Sequence, residues 1–285
     1  MPVHESPSAS ELFQTIDRGL TLPLDIAVKS SQARRILALA RPHVISKNLL
    51  DGYFVDAGEE LFVSTAELCF VQMARVLPIV ELIKLGYELC GSYSLPACEH
   101  RTIVDDVSGT NLSQHQPLTS HKKLLSYSCQ FEGERGAGQA AKALRHITDG
   151  SASPMETALT MLLTLPHKLG GYGLPIPELN ARIQPINSVR QSASKGSYFC
   201  DLFWPEYKLA AEYDSNQYHT GAEHIASDSK RRNTLATLGI TVITVTSQQL
   251  RNLQETEKVA KLLATNMNKR LRFDRSPSFL RTTAL

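Results

Sequence analysis

Residues 198–246, YFCDLFWPEYKLAAEYDSNQYHTGAEHIASDSKRRNTLATLGITVITVT, narrow what this chain can fold into more than any other stretch. Aromatic and β-branched runs mark strands at 198–203 and 208–214, joined by a turn at WPEY. A helix follows from about Glu223 to Leu238, Gly239 stops it, and ITVITV is a third strand. Another helix starts near Ser247 and reaches roughly Met267. Strands interleaved with helices make this half of the chain α/β. Alternate side chains of an extended segment share a face, so Glu212 and Asp214 lie together and Tyr213 lies opposite. Asp201, delivered from the neighbouring strand, can converge with them on one small region.

The preceding sequence is more mixed. After a Pro- and Ser-rich start, LDIAV reads as a strand and SSQARRILALA as a helix with a Ser cap. PHVISKNLLDGYFVDAGEELFVS reads as short strands reversing at DG and AGEE. STAELCFVQMARVLPIVELIKLGYELC has helical spacing, interrupted near Leu77 and Pro78, and suits a helical pair packed on a small sheet. A polar, turn-rich stretch follows, with a helix inside it; its His115 and His121 have no cysteine or acid at metal-ligand spacing. GAGQAAKALRHITDGSASP holds a helix with Lys142 and Arg145 three apart, then a break. In SASPMETALTMLLTLP, Ser153 caps, Pro154 takes the first helical position and Glu156 completes a capping box, the helix ending near Leu165. The next stretch is irregular, with one or two short strands. The expected organisation is an α+β domain over 1–147, an α/β domain over 148–270 and a basic tail over 271–285.

Composition limits the function classes. With 285 residues and 42% hydrophobic content the chain can bury a sizeable core. Thirty basic against 28 acidic residues leave a net charge of +2, so any nucleic-acid-binding surface has to be local. The five cysteines are scattered, which fits reduced thiols in a cytoplasmic protein better than a disulfide scaffold or a zinc site. The N-terminus lacks the pattern of a signal peptide, and no apolar run approaches the ~20 residues of a membrane span.

The acids at 201, 212 and 214 admit two uses. Magnesium takes hard oxygen ligands, commonly carboxylates with water and phosphate oxygens, and can polarise a phosphodiester. Equally, Glu212 or Asp214 can pair with Arg231 or Arg232 of the following helix, and Asp228 with the same arginines at helical spacing. An arginine beside acids can also meet a phosphate as a bidentate fork. His219 is a general base or a turn residue. The tail residues Lys269, Arg270, Arg272, Arg275 and Arg281 either touch phosphates or form a solvated extension.

YFCDLFWPEYKLAAEYDSNQYH with DSKRRNTLATLGITVITVTSQQL resembles the very-short-patch-repair-endonuclease-like family, part of the restriction-endonuclease-like, PD-(D/E)XK, nuclease fold. The resemblance covers 198–250, and more loosely begins at Glu156. It implies a central mixed sheet flanked by helices and a Mg²⁺-dependent nuclease core, Mn²⁺ being a possible substitute, acting on DNA. It implies Asp201 and Glu212 as metal ligands, Glu156 as a helix acid completing the shell, and subgroup positions at His219, Asp228 and Arg231 or Arg232. Asp214 stands where the wider fold has a lysine, an exchange usual in the subgroup, and Ser215 where the subgroup has glycine. A fold that has lost turnover and serves as a DNA-binding regulator is the alternative. The N-terminal half, through AELCFVQMARVLPIVELIKLGYELCGSY, resembles abortive-infection antitoxin-like regulators, implying a toxin–antitoxin or regulatory partner. Arg34, Arg35 and Arg41 form its candidate DNA-recognition helix.

Overall fold

The computed structural model describes residues 23–28, 30, 32, 40–44, 52–56, 62–94, 113–184, 197–214 and 222–271, the side chains of 113, 114 and 222–228 excepted. The chain divides into two compact units, 1–63 and 64–285. In the first, β1 (Leu24–Val28) pairs in parallel with β2 (Ala40–Val44), and β3 (Phe54–Asp56) pairs with β4 (Phe62–Ser64). His43 Nε2 lies 2.6 Å from Asp25 Oδ1 across the parallel pair. The LDIAV strand is where its composition put it. Arg41 lies on strand β2 and not on a helix, whereas Arg34 and Arg35 fall outside the described residues.

The second unit opens with helices. Thr65 caps α1 (Ala66–Met73), and Pro78 starts α2 (Ile79–Cys90), so the helical pair breaks at the Leu77–Pro78 step as expected. A two-residue ladder joins β5 (Tyr93–Ser94) to β6 (Ser113–Gln114). Then come α3 (His121–Gln130), capped by Ser120, and α4 (Ala137–Leu144). His121 Nε2 lies 2.9 Å from the Leu144 carbonyl, so that imidazole ties α3 to the end of α4. Ser153 caps α5 (Pro154–Thr164), its hydroxyl accepting the Glu156 N–H, with Pro154 at the first position.

Four strands follow: β7 (Glu178–Ile183), β8 (Tyr198–Trp204), β9 (Leu209–Asp214) and, after α6 (Ala222–Thr237), β10 (Thr241–Thr246). They form one mixed sheet in the order β10-β9-β8-β7, antiparallel except for the β9–β10 pair that α6 connects. Lys208 turns β8 into β9 with a positive φ of 47°. The expected single C-terminal helix is two: α7 (Ser247–Arg251) and α8 (Leu253–Asn266). The cause is Asn252, whose side chain accepts the N–H groups of Gln254 and Glu255 and starts a new helix.

Helices cover both faces of the sheet. On one face Leu202, Trp204, Leu209, Ala211, Ile243 and Val245 join a large apolar cluster with α5 and α8, which extends through α1 to α4. That cluster takes side chains from both sides of residue 148. On the other face Tyr198, Cys200, Phe203 and Ala210 pack with Leu235 of α6. Strand β9 keeps strict alternation, Leu209 and Ala211 facing one cluster and Ala210 the other. The second unit is thus α/β, built on a mixed sheet between helices. Among the described residues no helix is long and apolar enough to cross a membrane.

Candidate functional site

Asp201 sits where two strands change face. In β7, Leu179 belongs to the large cluster and Ala181 to the small one. In β8, Tyr198 and Cys200 pack with the small cluster, Leu202 and Trp204 with the large one. Residues two apart in a regular strand share a face, so each strand switches once. The pairs Leu179↔Leu202 and Ala181↔Cys200 set Asn180 opposite Asp201, at both switch points. Asn180 has a left-handed backbone, φ 47°, which asparagine tolerates better than most residues.

The kink brings a third element in. Asn180 Nδ2 donates to Glu156 Oε2 at 2.6 Å and to the Gly150 carbonyl at 2.9 Å. Glu156 also accepts from the Ala152 N–H through Oε2 at 3.0 Å and from the Ser153 hydroxyl through Oε1 at 2.9 Å. Its cap role, read from the sequence, therefore places it against the sheet. On the other flank the β8–β9 ladder ends at Leu202↔Ala211, and continuing that register puts Asp201 across from Glu212. Asp201 Oδ2 accepts the Tyr213 N–H at 2.8 Å.

Glu212 is engaged from α6. Arg231 Nη1 donates to its Oε2 and Nη2 to its Oε1, each at 2.5 Å, and Nη2 also reaches the Phe199 carbonyl. The pair is half withdrawn from water, the Arg231 side chain 29% exposed and that of Glu212 13%. Burial opposes the charge on Arg231, but the bonds and charge of Glu212 outweigh it and hold the guanidinium above its ordinary pKa. The Cys200 thiol is pushed up to about 12, first by burial and then by the neighbouring Glu212.

Asp201 lies in an electrostatically crowded position. Burial lifts its carboxyl from the ordinary 3.8 to about 6; the Tyr213 N–H opposes that, Glu156 and Glu212 add to it, and Arg231 relieves part of it. Glu156 and Glu212 thus both bear on Asp201 electrostatically, whereas the sequence spacing groups Asp201 and Glu212 with Asp214. Asp214, half-buried at the end of β9, is in register with Thr246. Lys230 and Arg232 are exposed on either side of Arg231. His219 lies outside the described residues, as does the side chain of Asp228.

The donor chemistry of Asp201, Glu212 and Glu156 suits magnesium, but their present arrangement does not. Both Glu212 oxygens are held by Arg231, and both Glu156 oxygens accept from neighbouring donors. Among the described residues no group of three or more His, Cys, Asp and Glu side chains is placed to hold a metal ion. Sequence reasoning missed Asn180; a strand-disfavoured asparagine inside ELNARI was its signal.

No family model matches the chain. Nor does any solved structure. Uncharacterized proteins from two strains of Mycobacterium tuberculosis are each 29% identical to it over 137 residues, 48% of this chain and 45% of theirs. The match therefore spans less than half the length of these curated relatives.

Proposed function

We propose that the second unit carries a restriction-endonuclease-like core and that the protein acts on phosphodiester bonds of nucleic acid, DNA first among them. The observation that carries this reading is the meeting of Asp201, Glu212 and Glu156 from adjacent strands and a capped helix, with Asp201 raised to about 6. Such crowding of acids is characteristic of sites where an ion or a reacting group is handled. The mixed sheet between helices agrees with the core that the sequence resemblance implies. Lys230 and Arg232, the exposed chain neighbours of Arg231 on α6, add positive charge to that helix, of the kind a polyanion needs.

The bidentate hold of Arg231 on Glu212 favours a second reading, a DNA-binding regulator or antitoxin-like protein that keeps the fold without turnover. One set of assays separates the two. Purified full-length protein is incubated with duplex and single-stranded DNA in Mg²⁺ or Mn²⁺, beside D201N, and binding is followed by fluorescence anisotropy. Cleavage by wild type that D201N abolishes, with folding intact, supports the nuclease. Binding without cleavage under either ion supports the regulator, and absence of both refutes the two readings together.

A further inference from the structure

We infer that Phe199 and Arg182 form a stacking platform for an unpaired nucleobase, so that the nucleic acid this protein takes is single-stranded or locally opened. The inference rests on the nucleic-acid reading above and names the form of nucleic acid involved.

The two residues are partners in the β7–β8 ladder, two steps past the switch point at Asn180 and Asp201. Tyr198 and Cys200, on either side of Phe199, pack with the small cluster, and so do Ala181 and Ile183 on either side of Arg182. Alternation therefore sends Phe199 and Arg182 together to the opposite face, where directly opposed side chains stand about 5 Å apart. The large cluster on that face takes Leu179, Leu202 and Trp204 from these strands, all from the other side of the switch point. Phe199 joins neither cluster and is 53% exposed. Arg182 is exposed and forms no ion pair among the described residues.

The ring sits on a fixed support, because Arg231 donates to the Phe199 carbonyl and the ladder holds the strand on its other side. A rigid aromatic face with a cation beside it is what single-strand binders use: the ring stacks any base and the basic side chain meets the backbone phosphate. Charge and size decide the occupant. Phe199 is the one exposed large apolar side chain on β7 and β8 among the described residues, too little for an apolar protein interface but enough for one base. A base inside a duplex has both faces taken by its stacked neighbours, so the base that reaches the ring is unpaired. Along β8, Phe199 precedes Asp201 by two residues, about 7 Å, the span of one nucleotide. A base held on the ring thus sets the adjoining phosphodiester beside Asp201.

The test is fluorescence anisotropy in metal-free buffer with the full chain as wild type, Phe199→Leu, Phe199→Tyr and Arg182→Gln. The probes are a labelled oligothymidylate, a strand of the same length built from abasic residues, and a duplex. Circular dichroism checks that each variant is folded. Wild type should bind the oligothymidylate about tenfold more tightly than the abasic strand. Phe199→Leu keeps apolar bulk without a π face and should lose that preference, while Phe199→Tyr keeps the ring and should keep it. Arg182→Gln should weaken both strands alike and lower the salt slope by about 0.7, one single-strand phosphate contact. If Phe199→Leu does not fold, the wild-type preference and Arg182→Gln decide. A wild type that binds bases and abasic residues equally, or binds duplex alone, overturns the inference and leaves the nucleic-acid reading standing; a Phe199→Leu that retains the preference does the same. Self-association of wild type in sedimentation that Phe199→Leu disperses assigns the ring to a second copy of the chain and also overturns it. A wild type that binds none of the three probes overturns the nucleic-acid reading and the inference together.

Discussion

Replacing Asp201 with asparagine tests the electrostatics of the site directly, because asparagine copies the shape of the protonated acid and its carbonyl oxygen can still accept the Tyr213 N–H. In the folded chain the Asp201 carboxyl sits at about 6 rather than 3.8, through burial first and then the charges of Glu156 and Glu212, with the Tyr213 N–H and Arg231 opposing them. A folded pKa above the unfolded one means that proton binding favours the fold. The contribution is therefore fully present below pH 3.8 and is lost as pH rises through about 6. A displacement of roughly two units corresponds to about 3 kcal/mol as a ceiling. Partial exposure of the carboxyl and screening reduce this to about 1–2 kcal/mol. Urea unfolding of wild type and D201N from pH 4 to pH 8 measures it. The two should be nearly equal at pH 4, and by pH 7 wild type should have lost about 1–2 kcal/mol relative to D201N. Parallel stability curves, or a wild type more stable than D201N at pH 8, would refute the reasoning.

R231Q should lower stability at pH 7 by about 1–3 kcal/mol in the same assay, since it removes charge-assisted bonds to Glu212 and Phe199. It should also raise the Asp201 titration further, visible in a pH series of carboxyl carbon shifts, because Arg231 is the cation that lowers it. Asn180→Val should cost about 2–4 kcal/mol, losing the bonds to Glu156 and Gly150 and adding strain at a positive φ, whereas Asn180→Gly loses the bonds alone and should cost visibly less. Ser153→Ala should lower the thermal midpoint by removing about 1 kcal/mol of cap energy from α5.

Much of the second unit was legible because its signals are local. Ser153 with Pro154 and Glu156 announces a helix start through bonds made within one turn, and Gly239, at φ 75°, announces the end of α6 in the same way. The strand pattern around Asp201 and Glu212 was equally plain. What could not be read was the face change at Asn180 and Asp201, which depends on two strands distant in sequence adjusting together. Spacing leaves open whether Glu212 or Asp214 pairs with Arg231 or Arg232 or whether the acids face a metal, because strand alternation and helical phase cannot choose between such near neighbours; the structure pairs Glu212 with Arg231. The split between α7 and α8 was missed because Asn252 is as good a cap as it is a tolerated helix residue.

Trp204 is the only tryptophan in the chain. It is 1% exposed, and its indole N–H is bonded to the Pro175 carbonyl at 2.8 Å. All indole fluorescence of this protein therefore comes from one emitter on the same strand as Asp201, shielded from solvent quenchers. Any event that shifts β8 can be followed by emission wavelength alone, with no label attached.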